Sequence, residues 1–199
     1  MMARLRTCAA AMAAVVCAIG AEAGASARPA LAPSEYAAAQ PAEAVARLLA
    51  IADREAARPR PDRKRLAAVL RALDGLGARP AEAADDRMAI WRRTAHATLE
   101  PPMRGRVLGP AYRNGQLPPG STVRLAQLFD GGRAARVAVA APGKGTLDFL
   151  VLDAENKPVC PPASVGTQQC QWTPLYSARY EIVLVNRGSQ PAGYYLVID

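Results

Sequence analysis

The chain has 199 residues and a formal net charge of +8, with 51% hydrophobic residues, only 5% aromatic ones, four cysteines and a single histidine. The excess of 25 Lys and Arg over 17 Asp and Glu could draw acidic partners such as anionic lipid or polysaccharide. Arg, however, is spread along the chain among Asp and Glu, and Lys occurs only at Lys64, Lys144 and Lys157, which reads as compositional bias rather than a binding face.

The first residues, "MMARLRTCAAAMAAVVCAIGAEAGASA", place Arg4 and Arg6 before an apolar stretch from Cys8 to Gly20. Small residues then alternate through Ala21, Ala23, Ala25 and Ala27. This is the layout of a secretory signal peptide, with cleavage expected after Ala23 or Ala27. The apolar run is shorter than the roughly 20 residues that a membrane-spanning helix needs. No second run of that length follows, so no transmembrane helix is expected in the mature chain. Val16 stands where a lipidation signal at Cys17 would need a small residue. Export to the periplasm or beyond argues against nucleic acid as a partner.

Cleavage would leave Cys160 and Cys170 as the cysteines of the mature chain, ten positions apart in "CPPASVGTQQC". An exported pair favours a disulfide. A metal site would need ligands beyond His96, some way off in a helical region, and the spacing is not that of a Cys-x-x-Cys redox centre. The pair is read as a structural bridge that staples a loop at the rim of a β domain.

Residues 28–40, rich in Ala and Pro, read as a flexible lead-in to a helical region over 41–100. Val45, Leu48, Leu49 and Ala52 recur at helical spacing, with Pro41 suited to the first turn. Leu66, Val69, Leu70 and Leu73 repeat the pattern, and Gly75 and Gly77 supply a stop. A third segment, Ala83 to Leu99, sets Met88, Trp91, Ala95 and Thr98 on one side with Ile90 adjacent. Three such helices can bury one another's stripes as a small bundle or hairpin array.

Beyond Pro102 the apolar period becomes two. "STVRLAQLF" and "RAARVAVAA" alternate around Asp130-Gly131-Gly132, which reads as a hairpin turn. "TLDFLVLD", "KPVC", "QCQWT", "RYEIVLVN" and "GYYLVID" follow between polar turns. Six to eight short strands in this span predict a β-sandwich over 105–199. The expected fold is α+β in separate regions, helices first and an antiparallel sandwich second.

"LPPGSTVRLAQLF", "TLDFLVLDAENKPVC" and "YSARYEIVLVNRGSQPAGYYLVI" together resemble the bacterial pre-peptidase C-terminal domain over roughly residues 105–199. The resemblance implies an exported, jelly-roll-like β-sandwich of the kind often attached to secreted peptidases. It also raises a calcium site, because some members bind calcium near the strand that "TLDFLVLD" is similar to. The matching residues here are Asp148, Asp153 and Glu155, and Thr146 stands where a further acid is common. Calcium takes six or more oxygens, and the β half is poor in acids, so ordinary turn carboxylates are the competing reading. No cofactor is expected.

Few polar groups converge for catalysis. His96 in "WRRTAHATL" is isolated, no Gly-x-Ser-x-Gly elbow occurs, and Ser121, Ser164, Ser177 and Ser189 fall in turns or strand starts. No pair of carboxylates suits glycoside hydrolysis. Asp85-Asp86 reads as helix capping, and "APGKGT" lacks the spacing of a phosphate-binding loop. Aromatics gather near the end of the chain, where Trp172, Tyr176, Tyr194 and Tyr195 could face a ligand or fill the core and rim. Tyr194 and Tyr195 are adjacent, so in a strand they point to opposite faces. The expected function is a non-catalytic binding or scaffolding protein of the cell envelope, its partner a protein or polysaccharide. The competing reading is a secreted hydrolase or peptidase-accessory protein whose site is unrecognised.

Overall fold

A computed structural model describes residues 41–97, 109–145, 147–162 and 167–199. The expected signal peptide and lead-in lie outside these residues, as do Thr98, Thr146 and Ser164.

Three helices come first. Pro41 opens α1 (Pro41–Ala56), where a missing N–H and a fixed φ cost nothing. Asp62 caps α2 (Arg63–Gly75), its Oδ1 accepting the Arg65 N–H at 3.1 Å. Glu55 of α1 is 2% exposed and accepts the Asp62 N–H at 3.0 Å and an Arg58 guanidinium N–H at 3.2 Å, which fixes the α1–α2 connection. Asp86 caps α3 (Arg87–Ala95) through the Ala89 N–H at 2.9 Å. The third helix is shorter than the sequence indicates. Ala83–Asp85 is a separate 3₁₀ turn, and His96 ends the helix in the left-handed conformation at φ 53°. The region is not wholly helical either: β1 (Arg79–Pro80) pairs in parallel with β2 (Ala111–Leu117).

The remaining strands are β3 (Thr122–Phe129), β4 (Ala135–Ala140), β5 (Leu147–Leu152), β6 (Gln168–Trp172), β7 (Ala178–Asn186) and β8 (Ala192–Ile198). They form two sheets, ordered β1-β2-β8-β4-β6 and β3-β7-β5, antiparallel apart from the β1–β2 pair. From β2 onward every connection passes from one sheet to the other. Three helices followed by a mostly antiparallel sandwich is the expected architecture. Its wiring corrects the sequence reading, however: β3 pairs with β7 and β4 with β6 and β8, so Asp130-Gly131-Gly132 turns the chain between sheets and closes no hairpin. "KPVC" is not a strand; Pro158 makes a single bridge to Leu152.

The central strands of the larger sheet are buried on both faces. Val137 and Val139 of β4 point into the sandwich with Phe149, Val151, Ile182, Leu184 and Leu196. Ala138 and Ala140, on the opposite side of the same strand, meet α1 together with Tyr112, Tyr195 and Val197. The helices are thus not a separate bundle: helices and sandwich belong to one compact unit. Helix α1 lies between the other helices and the sheet, and Ala42, Ala44, Ala46, Ala50 and Ala52 are all at most 3% exposed. Their small side chains let the helix backbone approach the β4 alanines closely, and the larger Val45, Leu48 and Leu49 fill the remaining space.

At one end of the sandwich Asn186 is fully buried and ties two connections together. The two N–H groups of its Nδ2 are shared among the carbonyls of Leu117 (3.0 Å), Pro118 (3.1 Å) and Gln190 (2.8 Å), and its Oδ1 accepts the Gly188 N–H at 2.9 Å. Buried polar groups are tolerated when satisfied in this way.

Candidate functional site

Cys160 and Cys170 are joined by a disulfide with a Cα–Cα distance of 5.7 Å. Their setting differs from a loop at the rim. Cys170 lies mid-strand in β6, opposite Val137 and 1% exposed, while Cys160 follows the Pro158 bridge to the end of β5. Strands β5 and β6 are edges of different sheets, so the bridge pins the two sheets together along one open side of the sandwich.

The candidate aromatics part company. Trp172 turns inward: its ring lies edge-on to Phe129 at 4.8 Å and tilted against Tyr180 at 5.0 Å, next to the sandwich core. Tyr195 is 3% exposed beneath the helices and donates from Oη to Asp53 Oδ1 at 2.9 Å. Tyr194 points to the opposite face, as adjacent strand residues must, with its ring against Gly115, where a Cβ would come within 2.6 Å of the phenol oxygen. Tyr176 alone of the four stands in solvent, 81% exposed beside Leu175 at 87%.

That pair crowns a rigid support. The β6–β7 loop is tied to the β3–β4 turn by Gly132 N–H donating to the Pro174 carbonyl (2.8 Å) and Gly131 N–H donating to Ser177 Oγ (3.1 Å). Gly131 is required here, because a Cβ would lie 2.8 Å from the Tyr176 backbone. Gly132 takes φ 74°, a conformation glycine adopts without steric cost. Phe129, Trp172 and Tyr180 form an aromatic cluster where β3, β6 and β7 meet this loop, while Leu128, 57% exposed, points to the opposite face of β3.

Beside the support runs a groove of about 390 Å³ whose lining includes Arg79, Arg113, Leu128, Asp130, Arg133 and Asp199. Arg113 pairs with Glu82 at 2.8 Å and Arg133 with Asp130 at 3.3 Å, both at exposed positions. Arg79 is exposed and makes no ion pair among the described residues. Three arginines against two aspartates give the lining a positive balance. Tyr176 is among the residues the sequence singles out; Leu175 beside it, and Leu128 with Arg79, Arg113 and Arg133 in the groove, are not.

The calcium candidates are not gathered into a site. Asp148 Oδ2 accepts from Arg187 Nε at 2.8 Å. Asp153 Oδ1 accepts the backbone N–H groups of Glu155 (3.0 Å) and Lys157 (2.8 Å), closing the turn that follows β5. Among the described residues no three His, Cys, Asp or Glu side chains group as metal ligands. His96 is exposed and, among the described residues, makes no side-chain hydrogen bond. No described helix is long and apolar enough to cross a membrane.

Burial pushes the Tyr112 phenol up to about 12, and burial with the neighbouring Asp53 charge raises Tyr195 as well. The folded state therefore keeps these protons at pH values where the unfolded chain, with an ordinary tyrosine value of about 10, has released them. Their stabilising contribution is complete below about pH 10 and is lost as pH rises through the folded values. Denaturant midpoints measured from about pH 8 to pH 11 should fall with pH in the parent and fall less steeply in Tyr112→Phe.

The strand orders define a class: a jelly-roll-like β-sandwich with helices packed on one face. No family model and no curated protein matches the chain. Among solved structures, a de novo designed double-stranded β-helix is 18% identical with a TM-score of 0.31, over 44% of this chain and 97% of the other. The pre-peptidase C-terminal domain of a collagenase from Bacillus anthracis is 10% identical with a TM-score of 0.36, over 44% and 87%. A periplasmic inhibitor of g-type lysozyme from Aeromonas hydrophila is 18% identical with a TM-score of 0.34, over 45% and 84%. Each likeness is one of fold. The pre-peptidase resemblance read from the sequence has no family-model match behind it.

Proposed function

We propose that the chain is an exported, non-catalytic protein of the cell envelope that binds a protein partner through the Leu175–Tyr176 rim. The observation that carries the reading is the exposure of two adjacent large apolar side chains, at 87% and 81%, on a loop fixed by hydrogen bonds to the neighbouring turn. A preordered loop loses little entropy on docking, and aromatic anchors are enriched at the cores of interfaces. The arginine-lined groove alongside suits a partner whose contact surface is ringed by acidic groups, through charge complementarity. Export is supported by the disulfide, which persists in oxidising compartments. Absence of catalysis is supported by the isolation of His96.

A photo-crosslinking residue placed at position 176, in cells of the organism that makes the protein, should yield one discrete protein adduct. The same residue at Ile90, 44% exposed on α3, should not. The double variant Leu175→Ala/Tyr176→Ala should keep the parent melting temperature and weaken the complex by at least about tenfold, or about 1.4 kcal/mol. Adducts of equal yield from both positions, or unchanged affinity in the double variant, would exclude the rim as the binding surface.

A further inference from the structure

A second cavity, of about 380 Å³, opens where the helices stop short of covering the larger sheet; it shares no lining residue with the rim groove. Small-ligand pockets fall in the range of about 300–1,000 Å³. Asp53 from α1, Arg87 from α3, Asn114 and Gln116 from β2, Pro142 from the β4–β5 connection and Gly193 from β8 contribute to its lining. We infer that this cavity is a binding site for a neutral saccharide, one or two sugar rings in size.

Asp53, Arg87, Tyr195 and Asn114 are held in place before any ligand arrives. Asp53 Oδ1 accepts from Tyr195 Oη at 2.9 Å and from Arg87 Nη2 at 3.1 Å, so three elements converge on one carboxylate oxygen. The Trp91 ring supports both donors, 5.9 Å from the Tyr195 ring and 5.9 Å from the Arg87 guanidinium carbon. Asn114 is anchored through Nδ2 to the Asp85 carbonyl at 2.9 Å. Oδ2 of Asp53 makes no hydrogen bond among the described residues. The second carboxylate oxygen, the remaining guanidinium N–H groups and the Gln116 amide offer both acceptors and donors. Hydroxyl groups, which donate and accept at once, match such a set.

The charge state narrows the ligand class. Asp53 and Arg87 already neutralise each other at 3.1 Å, so the cavity carries no net charge to attract a lone cation or anion. Their contact also leaves no separated pair of charges for a zwitterion to span. At position 193 the sheet lacks a side chain, although a Cβ there would only reach ordinary contact with Pro142 at 3.4 Å. The missing side chain therefore leaves space above the strand without being demanded by packing.

The test is a titration of the ¹⁵N-labelled full chain with glucose, galactose, N-acetylglucosamine and cellobiose, with glycine and ammonium chloride as charged probes. Saturable shifts are expected at the Gly115, Gln116 and Gly193 amides and the Asn114 side-chain amide for at least one sugar, with a Kd of about 1 mM. Gly193→Leu fills the floor and should abolish the shifts while leaving the melting temperature within a few degrees. Asp53→Asn should weaken binding about tenfold. Should Gly193→Leu not fold, Gln116→Ala, at the cavity edge, should still weaken binding severalfold. No shift with any sugar at about 100 mM, shifts that persist undiminished in Gly193→Leu, or saturation by glycine or ammonium in place of sugar would each overturn the assignment.

Discussion

Replacing Trp91 by Ala should cost about 3–5 kcal/mol, the range for deleting a fully buried aromatic side chain, and the loss should be felt in the sandwich as well as in the helices. Trp91 is 1% exposed in the core that joins α1, α2 and α3 to Tyr112, Tyr195, Ala138, Ala140 and Val197 of the larger sheet. Domains are commonly stable by about 5–15 kcal/mol, so this one truncation removes a large fraction of the total. The chain has two tryptophans, and in the variant Trp172 remains as a reporter inside the other core. Urea unfolding followed by Trp172 fluorescence should shift to lower denaturant in step with helical circular dichroism. An unmoved fluorescence midpoint beside a shifted dichroism midpoint would mean that the helices form an independent layer.

Removing the disulfide should lower stability by about 2–3 kcal/mol, the chain-entropy value for a loop of about ten residues. Because Cys170 is 1% exposed opposite Val137, the substitution must be chosen with care. A serine there would bury a hydroxyl and add an unsatisfied-group penalty of about 1–3 kcal/mol. Cys160→Ala/Cys170→Ala therefore isolates the cross-link. Denaturant midpoints of the alanine pair, of the serine pair and of the reduced parent should fall in that framework, with the serine pair lowest. Since the bridge joins edges of opposite sheets, amide exchange in the variants should quicken along β5 and β6 more than along the central β7 and β8. Uniform acceleration across both sheets would show that the bridge acts only on the unfolded chain.

The helical stripes and most strands could be read from apolar periods because those periods are local. Leu66, Leu70 and Leu73 recur at helical spacing and all three are buried, and the Val137–Val139 alternation marks β4. A strand with no such signal escaped. In "AYRNGQL", β2 runs through polar Arg113, Asn114 and Gln116, because Arg113 lines the groove and Asn114 and Gln116 line the cavity instead of a core. Conversely, "KPVC" looks extended but has Pro158, whose missing N–H limits ladder pairing, and it makes only one bridge. The candidate site was less legible still. Tyr176 was within reach as one aromatic among several, whereas Leu175 matters only because the loop that carries it is pinned outward.

What the sequence determined by itself was the kind and order of most elements and the pairing of two cysteines, since each depends on residues near one another in the chain. What the tertiary structure decided was partnership: which strands pair, and which face of each element is covered. An alternating strand states that its two sides differ, but not what lies on either side. The alanines of "RAARVAVAA" look like a solvent face, yet Ala138 and Ala140 are at most 2% exposed beneath α1. Their small volume is what allows the helix to lie close, and that relation exists only once two distant segments meet. The rim and the cavity above Gly193 arise in the same way, from groups far apart in sequence that come together because each connection crosses from sheet to sheet.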